Sequence, residues 1–208
     1  SLTAVETSLM PEEKYDFSED NMVWNSGYFG AQYDGGDYTR AISYLASWRG
    51  PVLEEDDVYG DGINNPDAGV VKHVQEAQII ESKNLEAVKK AVFLYGGVES
   101  SLYTSMSYAG ERSMYYNDKN YSYCYIGTKK PNHDVVIIGW DDNYSKDNFS
   151  VSLEGNGAFI CVNSWGDRFG DDGLFYVSYY DSNIGIHNVV YTRVEDNDNY
   201  DNIYQSDL

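Results

Sequence analysis

The sequence predicts an α+β fold of two lobes, on three observations. Helical spacing fills the first part of the chain, and strand-like alternation fills most of the rest. The pattern changes across an acidic loop that ends near Gly69. With 42% hydrophobic and 23% charged residues over 208 positions, the chain has enough apolar material for a core without metal or disulfide staples.

Taken in order, residues 1–10 place Leu2, Val5 and Leu9 on one helical face, and Pro11 ends the helix. This helix opens without a cap, as though cut into, so its apolar face is expected to need a preceding segment. Ser18, followed by Glu19 and Asp20, is an N-cap signal for a helix through Trp24. Gly35-Gly36 make a turn, after which Ala41, Tyr44, Leu45 and Trp48 keep helical spacing over 38–48. Residues 54–67 are acidic and rich in Gly, Asn and Pro, which reads as a long loop.

Beyond it, residues 70–80 alternate as a strand, and 84–95 form a helix with Leu85, Val88, Val92 and Leu94 or Tyr95 inward. Short strands follow at 97–103, 134–140, 157–163 and 173–179, with a polar hairpin loop over 141–157. From Glu195 the chain is acidic and Asn-rich. The expected organisation is a helical lobe at 1–69, a β-rich, barrel-like lobe at 70–194 and a tail or linker at 195–208.

Composition narrows the partners. A formal charge of −20 argues against nucleic acid, whose phosphates would be repelled over nearly the whole surface, and against anionic membranes. The apolar runs are too short to span a bilayer, so no membrane insertion is expected. The excess of 21 Tyr over 7 Phe fits half-buried strands and a wet, amphipathic surface. Two cysteines, Cys124 and Cys161, make no disulfide framework and are expected to be buried free thiols.

Two segments carry chemistry. In Asn132-His133-Asp134-Val135-Val136-Ile137-Ile138-Gly139-Trp140 a histidine stands at the mouth of an apolar strand. In Cys161-Val162-Asn163-Ser164-Trp165-Gly166 a strand ends on an amide and a tryptophan, and Phe169-Gly170-Asp171-Asp172-Gly173-Leu174 turns back into another strand. A strand-end histidine serves as a general base when a neighbour fixes its tautomer. An asparagine oxygen does so without adding charge, leaving the other ring nitrogen to take a thiol proton. A tryptophan over the contact keeps water from competing.

Together these segments resemble the papain family of cysteine peptidases, whose catalytic constellation is Cys-His-Asn. His133 and its strand look like the catalytic-histidine strand, and 163–166 with 170–173 look like the asparagine motif and the turn after it. Gly35 and Gly36 resemble the paired glycines that bind substrate backbone. The finer pattern at 140–144 and 177–181 looks most like secreted or cell-surface members from anaerobic bacteria and archaea, which often carry a lectin-like domain.

The resemblance implies peptide-bond hydrolysis of a peptide or protein substrate, outside the cell or at its surface, with His133 as base and then acid, Asn163 its orienter and Trp165 the shield. It places Ser101 and Asp134 in the pocket for the side chain next upstream of the scissile residue. Both are polar where the family is often apolar, which leaves a hydrophobic preference unsupported.

The nucleophile is what the sequence lacks. Residues 3–9 resemble the middle of the family's central helix, so the cysteine is expected a few residues before Ser1, roughly 135–140 residues ahead of His133. The family's oxyanion-hole glutamine would come earlier still. This chain alone is therefore expected to be inactive, with the missing segment as its partner. Two rivals are a non-catalytic papain-fold module binding cell-wall peptide or glycan, and a transpeptidase or amidase using the same residues. No cofactor or metal is expected: Asp57, Asp61, Asn64 and Asp67 offer oxygen ligands, but their spacing departs from a calcium loop. His73 and His187 have no partner pattern and read as structural or exposed.

Overall fold

A computed structural model describes residues 2–28 and 36–201. Its elements run α1 (Leu2–Leu9), α2 (Glu19–Asn25), α3 (Tyr38–Ala46), β1 (Lys72–Ile80), α4 (Leu85–Tyr95), β2 (Val98–Leu102), β3 (Tyr116–Asn117), β4 (Ser122–Tyr123), β5 (His133–Asp141), β6 (Ala158–Val162), β7 (Leu174–Ser178) and β8 (Asn188–Asp196). The α+β class holds. The eight strands form one sheet in the order β1-β8-β2-β5-β6-β7-β4-β3. That sheet is open, where a barrel-like lobe is expected from the sequence. The two-residue strands β3 and β4 carry too little backbone to continue the curl, and β4 joins β7 in parallel while the pairings at β5 are antiparallel.

The chain divides into two compact units. One holds the described residues up to Pro11 together with 78–190; the other holds 12–77 and the described residues from Tyr191 onward. These boundaries differ from 1–69, 70–194 and 195–208 because they follow packing, not composition: α1 packs with α4, and β1 and β8 run from one unit into the other.

In the first unit, alternation along the central strands builds the core. Val98 and Leu102 of β2, Val135 and Ile137 of β5, Phe159 and Cys161 of β6, and Phe175 and Val177 of β7 are buried in one cluster with Val88, Ala91 and Val92 of α4. Each such aliphatic or aromatic side chain contributes about 1.5–3 kcal/mol relative to exposure. Asn84 caps α4 by accepting from Ala87 N at 3.1 Å, worth about 1 kcal/mol. Of the two alternatives for the inward place near its end, Tyr95 packs against the core while Leu94 is exposed like Phe93, and Ala91 joins them because the helix turns its 88, 91, 92 face to the sheet. Gly96 ends α4 at φ +90, and a Cβ there would come within 2.2 Å of Ser8 Cβ, so only glycine lets α1 close on this end. On α1, Leu2 and Val5 are buried as expected, but Glu6 turns inward while Leu9 is exposed.

In the second unit Ser18 caps α2 and donates to the Asp57 carbonyl, while Asn21 donates to Asp57 Oδ2 and accepts from Tyr44. These bonds tie the acidic loop down through buried polar groups. Asn64 accepts from Asn25 and Asp61 from the Ile63 N–H, so three of the loop's four candidate oxygen ligands already serve hydrogen bonds. Among the described residues no three acidic, His or Cys groups converge on a metal-sized site.

Candidate active site

The site is built at the N-terminal end of β5. The backbone N–H of Asn132 donates to the Leu102 carbonyl, and its side chain bonds Thr104 in both directions: Thr104 N donates to Oδ1 at 2.8 Å and Nδ2 donates to Thr104 O at 2.9 Å. This clamp fixes the residue before His133. Register then pairs Leu102 with His133 and Ser101 with Asp134, so the histidine enters the sheet on the face of Val135 and Ile137.

Asn163 arrives from the end of β6. Its backbone N–H donates to the Gly173 carbonyl at 3.2 Å, which binds the strand end to the following turn. Gly170 has φ +65, and a Cβ there would overlap the Leu174 carbonyl oxygen, so this tight return needs glycine.

His133 Nε2 lies 2.9 Å from Asn163 Oδ1. The amide orientation is fixed independently: Ser164 N–H donates to the same Oδ1 at 2.8 Å, and a backbone N–H faces only an acceptor. Nε2 therefore carries the proton, and in the neutral ring Nδ1 is the basic nitrogen. Trp165 stacks on the imidazole with ring centres 5.2 Å apart and planes 29° from parallel. Trp165 is itself held edge-on by Phe169, which packs on Phe175 and Tyr116. Asn163 is buried, so its bond to the ring is shielded from water.

The same unit holds two depressions. A groove of about 650 Å³ runs between Thr3, Ala4 and Thr7 of α1 and the apolar side chains Val136, Ile138 and Val162. A second, of about 420 Å³, lies against Trp165 and is lined by Tyr108, Ala109, Gly110 and Arg168.

Both cysteines are buried and unpaired with each other. Burial, with the Asp181 carboxylate nearby, pushes the Cys161 thiol well above its ordinary value and that of Cys124 up to about 12. Neither supplies a thiolate near neutral pH.

This arrangement has a known counterpart. A family model for papain family cysteine proteases matches residues 1–194. The chain belongs to the papain family. Among solved structures it is similar to Cwp84, a clostridial cysteine protease seen after propeptide cleavage: identity is 33% and the TM-score 0.81, over 94% of this chain and 51% of that one. A second Cwp84 structure, holding the cysteine protease and lectin-like domains of this surface layer associated protein of Clostridium difficile, agrees at 33% identity and TM-score 0.78, over 95% of this chain and 46% of that one. The chain thus spans about half the length of the Cwp84 chains it matches. Bromelain of Ananas comosus shares the fold at 18% identity and TM-score 0.64, over 92% of this chain and 86% of that one. A search of curated protein sequences finds no match.

Of the residues singled out from sequence as candidates in this papain-family chain, the structure brings His133, Asn163 and Trp165 into contact, and joins Ser101 to Asp134. Gly36 lies just ahead of α3, where a Cβ would meet only the flexible Arg40 side chain. Gly35 lies outside the described residues. Asn132 escapes the sequence reading, its only signal being its place before the histidine, and His187, which reads from sequence as structural or exposed, contacts Ser101 across 86 positions.

Proposed function

We propose that this chain carries the base and its orienting residue for peptide-bond hydrolysis by a thiol peptidase. The nucleophilic cysteine, on this reading, comes from a segment preceding Ser1. The observation that carries the proposal is the Nε2–Oδ1 bond of His133 to Asn163, with the amide oriented by Ser164 N. That bond leaves Nδ1 to accept a proton from the cysteine thiol. The resulting thiolate attacks the peptide carbonyl, the imidazolium gives its proton to the leaving amine, and the same nitrogen then activates water to release the acyl group. Asn163 stays neutral throughout and Trp165 keeps the bond dry.

The groove beside α1 supports the placement, since Val136 and Ile138 offer an apolar surface for a helical segment running into α1. Gly35 and Gly36 bind the extended substrate backbone, and Ser101 and Asp134 face its next upstream side chain. The likeness to Cwp84 supports a secreted or surface-attached bacterial enzyme followed by a lectin-like domain. A purely binding module is the weaker reading, because a fixed tautomer beneath a tryptophan has no use in it.

The test is labelling of the longer natural polypeptide with an epoxide-type thiol-peptidase inhibitor, read by peptide mass mapping. Label on a cysteine ahead of Ser1, abolished by His133→Ala, is expected. Label on Cys124 or Cys161, or no label with His133 intact, overturns the proposal.

A further inference from the structure

In the second unit the end of β8 and the residues after it fold over a buried histidine. Asp196 Oδ1 accepts from Lys72 Nζ at 2.5 Å, Asn197 Nδ2 donates to the Val70 carbonyl, and Gln75 Nε2 donates to the Tyr200 hydroxyl at 3.4 Å. The Tyr200 ring stands 5.6 Å from the His73 ring and 5.5 Å from that of Trp48, which stacks on the same imidazole. Residues 195–200 thus lie along β1 as a strap.

The strap is wrapped around one carboxylate. Glu195 Oε1 accepts from Arg193 Nε, and Oε2 accepts from Asn199 Nδ2 at 2.8 Å and from the Tyr200 hydroxyl at 3.4 Å. His73 Nε2 stands 3.6 Å from the same Oε2, too far for a hydrogen bond. His73 is 1% exposed, and among the described residues neither of its ring nitrogens has a hydrogen-bond partner. A buried polar atom without a partner is unfavourable, and lifting the strap gives both nitrogens water. The bonds of the carboxylates therefore hold the strap down against the desolvation of the ring beneath it.

We propose that residues 195–200 form an acid-released strap over His73, with the Glu195 carboxylate as its catch. Ionised, that group only accepts, and its bond from Arg193 is charge-assisted; protonation weakens this bond and puts a donor among donors. The titratable and charged groups facing the pair are Arg193 of β8 and Tyr200 of the strap. Beside them on β1, Lys72 is engaged by Asp196 and Glu13. Hydrogen bonds from Asn199 and then Arg193 hold the Glu195 carboxyl below the usual glutamate range. A carboxyl lowered in the closed state stabilises that state above the ordinary glutamate value, and this is lost as pH falls through the lowered one. The strap is closed at neutral pH and opens in acid. A solvated imidazole is a cation there and no longer fits beneath the strap.

The experiment follows the Cε1–H lines of the three histidines by NMR in the full-length polypeptide, with His73 assigned by His73→Phe. A neutral gadolinium chelate broadens whatever it can approach. Its effect on the His73 line is expected to rise at least fivefold between about pH 5.5 and about pH 3.5, while the buried methyls of Val88 and Ile137 stay sharp. In Glu195→Gln the His73 line is expected to be broadened at both pH values. Asn199→Ala, a change at an exposed position, is expected to move the rise to higher pH. A His73 line that stays sharp to about pH 3.5 overturns the inference, as does broadening that arrives only together with that of the core methyls. A pH step that survives in Glu195→Gln overturns it too, by assigning the catch to another group.

Discussion

Each of the two units holds a histidine stacked on a tryptophan, and the two pairs are built differently. In one, His133 lies on Trp165 at 5.2 Å, half-buried, with a neutral asparagine oxygen bonded to Nε2. In the other, His73 lies on Trp48 at 4.1 Å, 1% exposed, with a Glu195 oxygen 3.6 Å from its Nε2 and Tyr200 against the ring. Among the described residues neither nitrogen of His73 has a hydrogen-bond partner. An imidazole must reach solvent or substrate to move protons, and it needs one nitrogen committed so that the other is defined. His133 meets both conditions. His73 meets neither, and works as an aromatic plate between β1 and its neighbours, next to Lys72, which is buried between Glu13 and Asp196. Burial alone would lower the Lys72 ammonium, but its bonds to those two carboxylates outweigh this and hold it above the ordinary lysine range. Stacking on tryptophan is thus a packing motif, and the partner of the second nitrogen decides whether it becomes chemistry.

The largest test of this contrast is to remove each ring in the full-length polypeptide. His133→Ala is expected to reduce kcat/KM on peptide substrates by about 10³-fold or more while leaving the melting temperature nearly unchanged. His73→Ala is expected to do the reverse, with a thermal melt reporting a loss of about 2 kcal/mol and kcat of the folded fraction preserved. Comparable losses of kcat from both would erase the distinction.

Next in size, Asn163→Ala frees the imidazole to rotate and should cost on the order of 10²-fold in kcat with little change in KM. A loss confined to KM would make Asn163 a substrate contact instead. Smaller again, Trp48→Leu removes the stacking partner of His73 and is expected to cost about 1–2 kcal/mol in a urea titration, the share of a half-buried aromatic pair.

The smallest effect is one of pH. Burial holds the Asp181 carboxyl above its usual range, despite hydrogen bonds from the N–H groups of Tyr125, Ile184 and Asn183. A carboxyl raised in the folded state binds more protons there than in the unfolded chain. Its contribution is therefore fully present below the ordinary aspartate value and is lost as pH rises through the raised one. Denaturant midpoints measured across that window should fall with rising pH, and fall less in Asp181→Asn. Equal slopes for both would assign the dependence elsewhere.

Much of this was legible in the sequence, for reasons that are local. Ser18 caps α2 as its side chain dictates, helical spacing placed α4, and alternation located β2, β5, β6 and β7 to within a residue or two. His133, Asn163 and Trp165 stood out because strand ends and a glycine turn frame them. Other elements left no such trace. Strands β3 and β4 are two residues each, below any periodicity, and β8 runs from four consecutive buried residues into polar ones, so it never alternates cleanly.

The sequence by itself determined the α+β class, the strand that carries His133, the family, and a net charge of −20. These rest on residue type and short-range spacing. Only the tertiary structure decided that the sheet stays open, that α1 packs with α4, that His73 is enclosed, and that His187 reaches Ser101. Those outcomes depend on which distant strands pair and on which face of a helix a neighbour covers, and no local pattern encodes either.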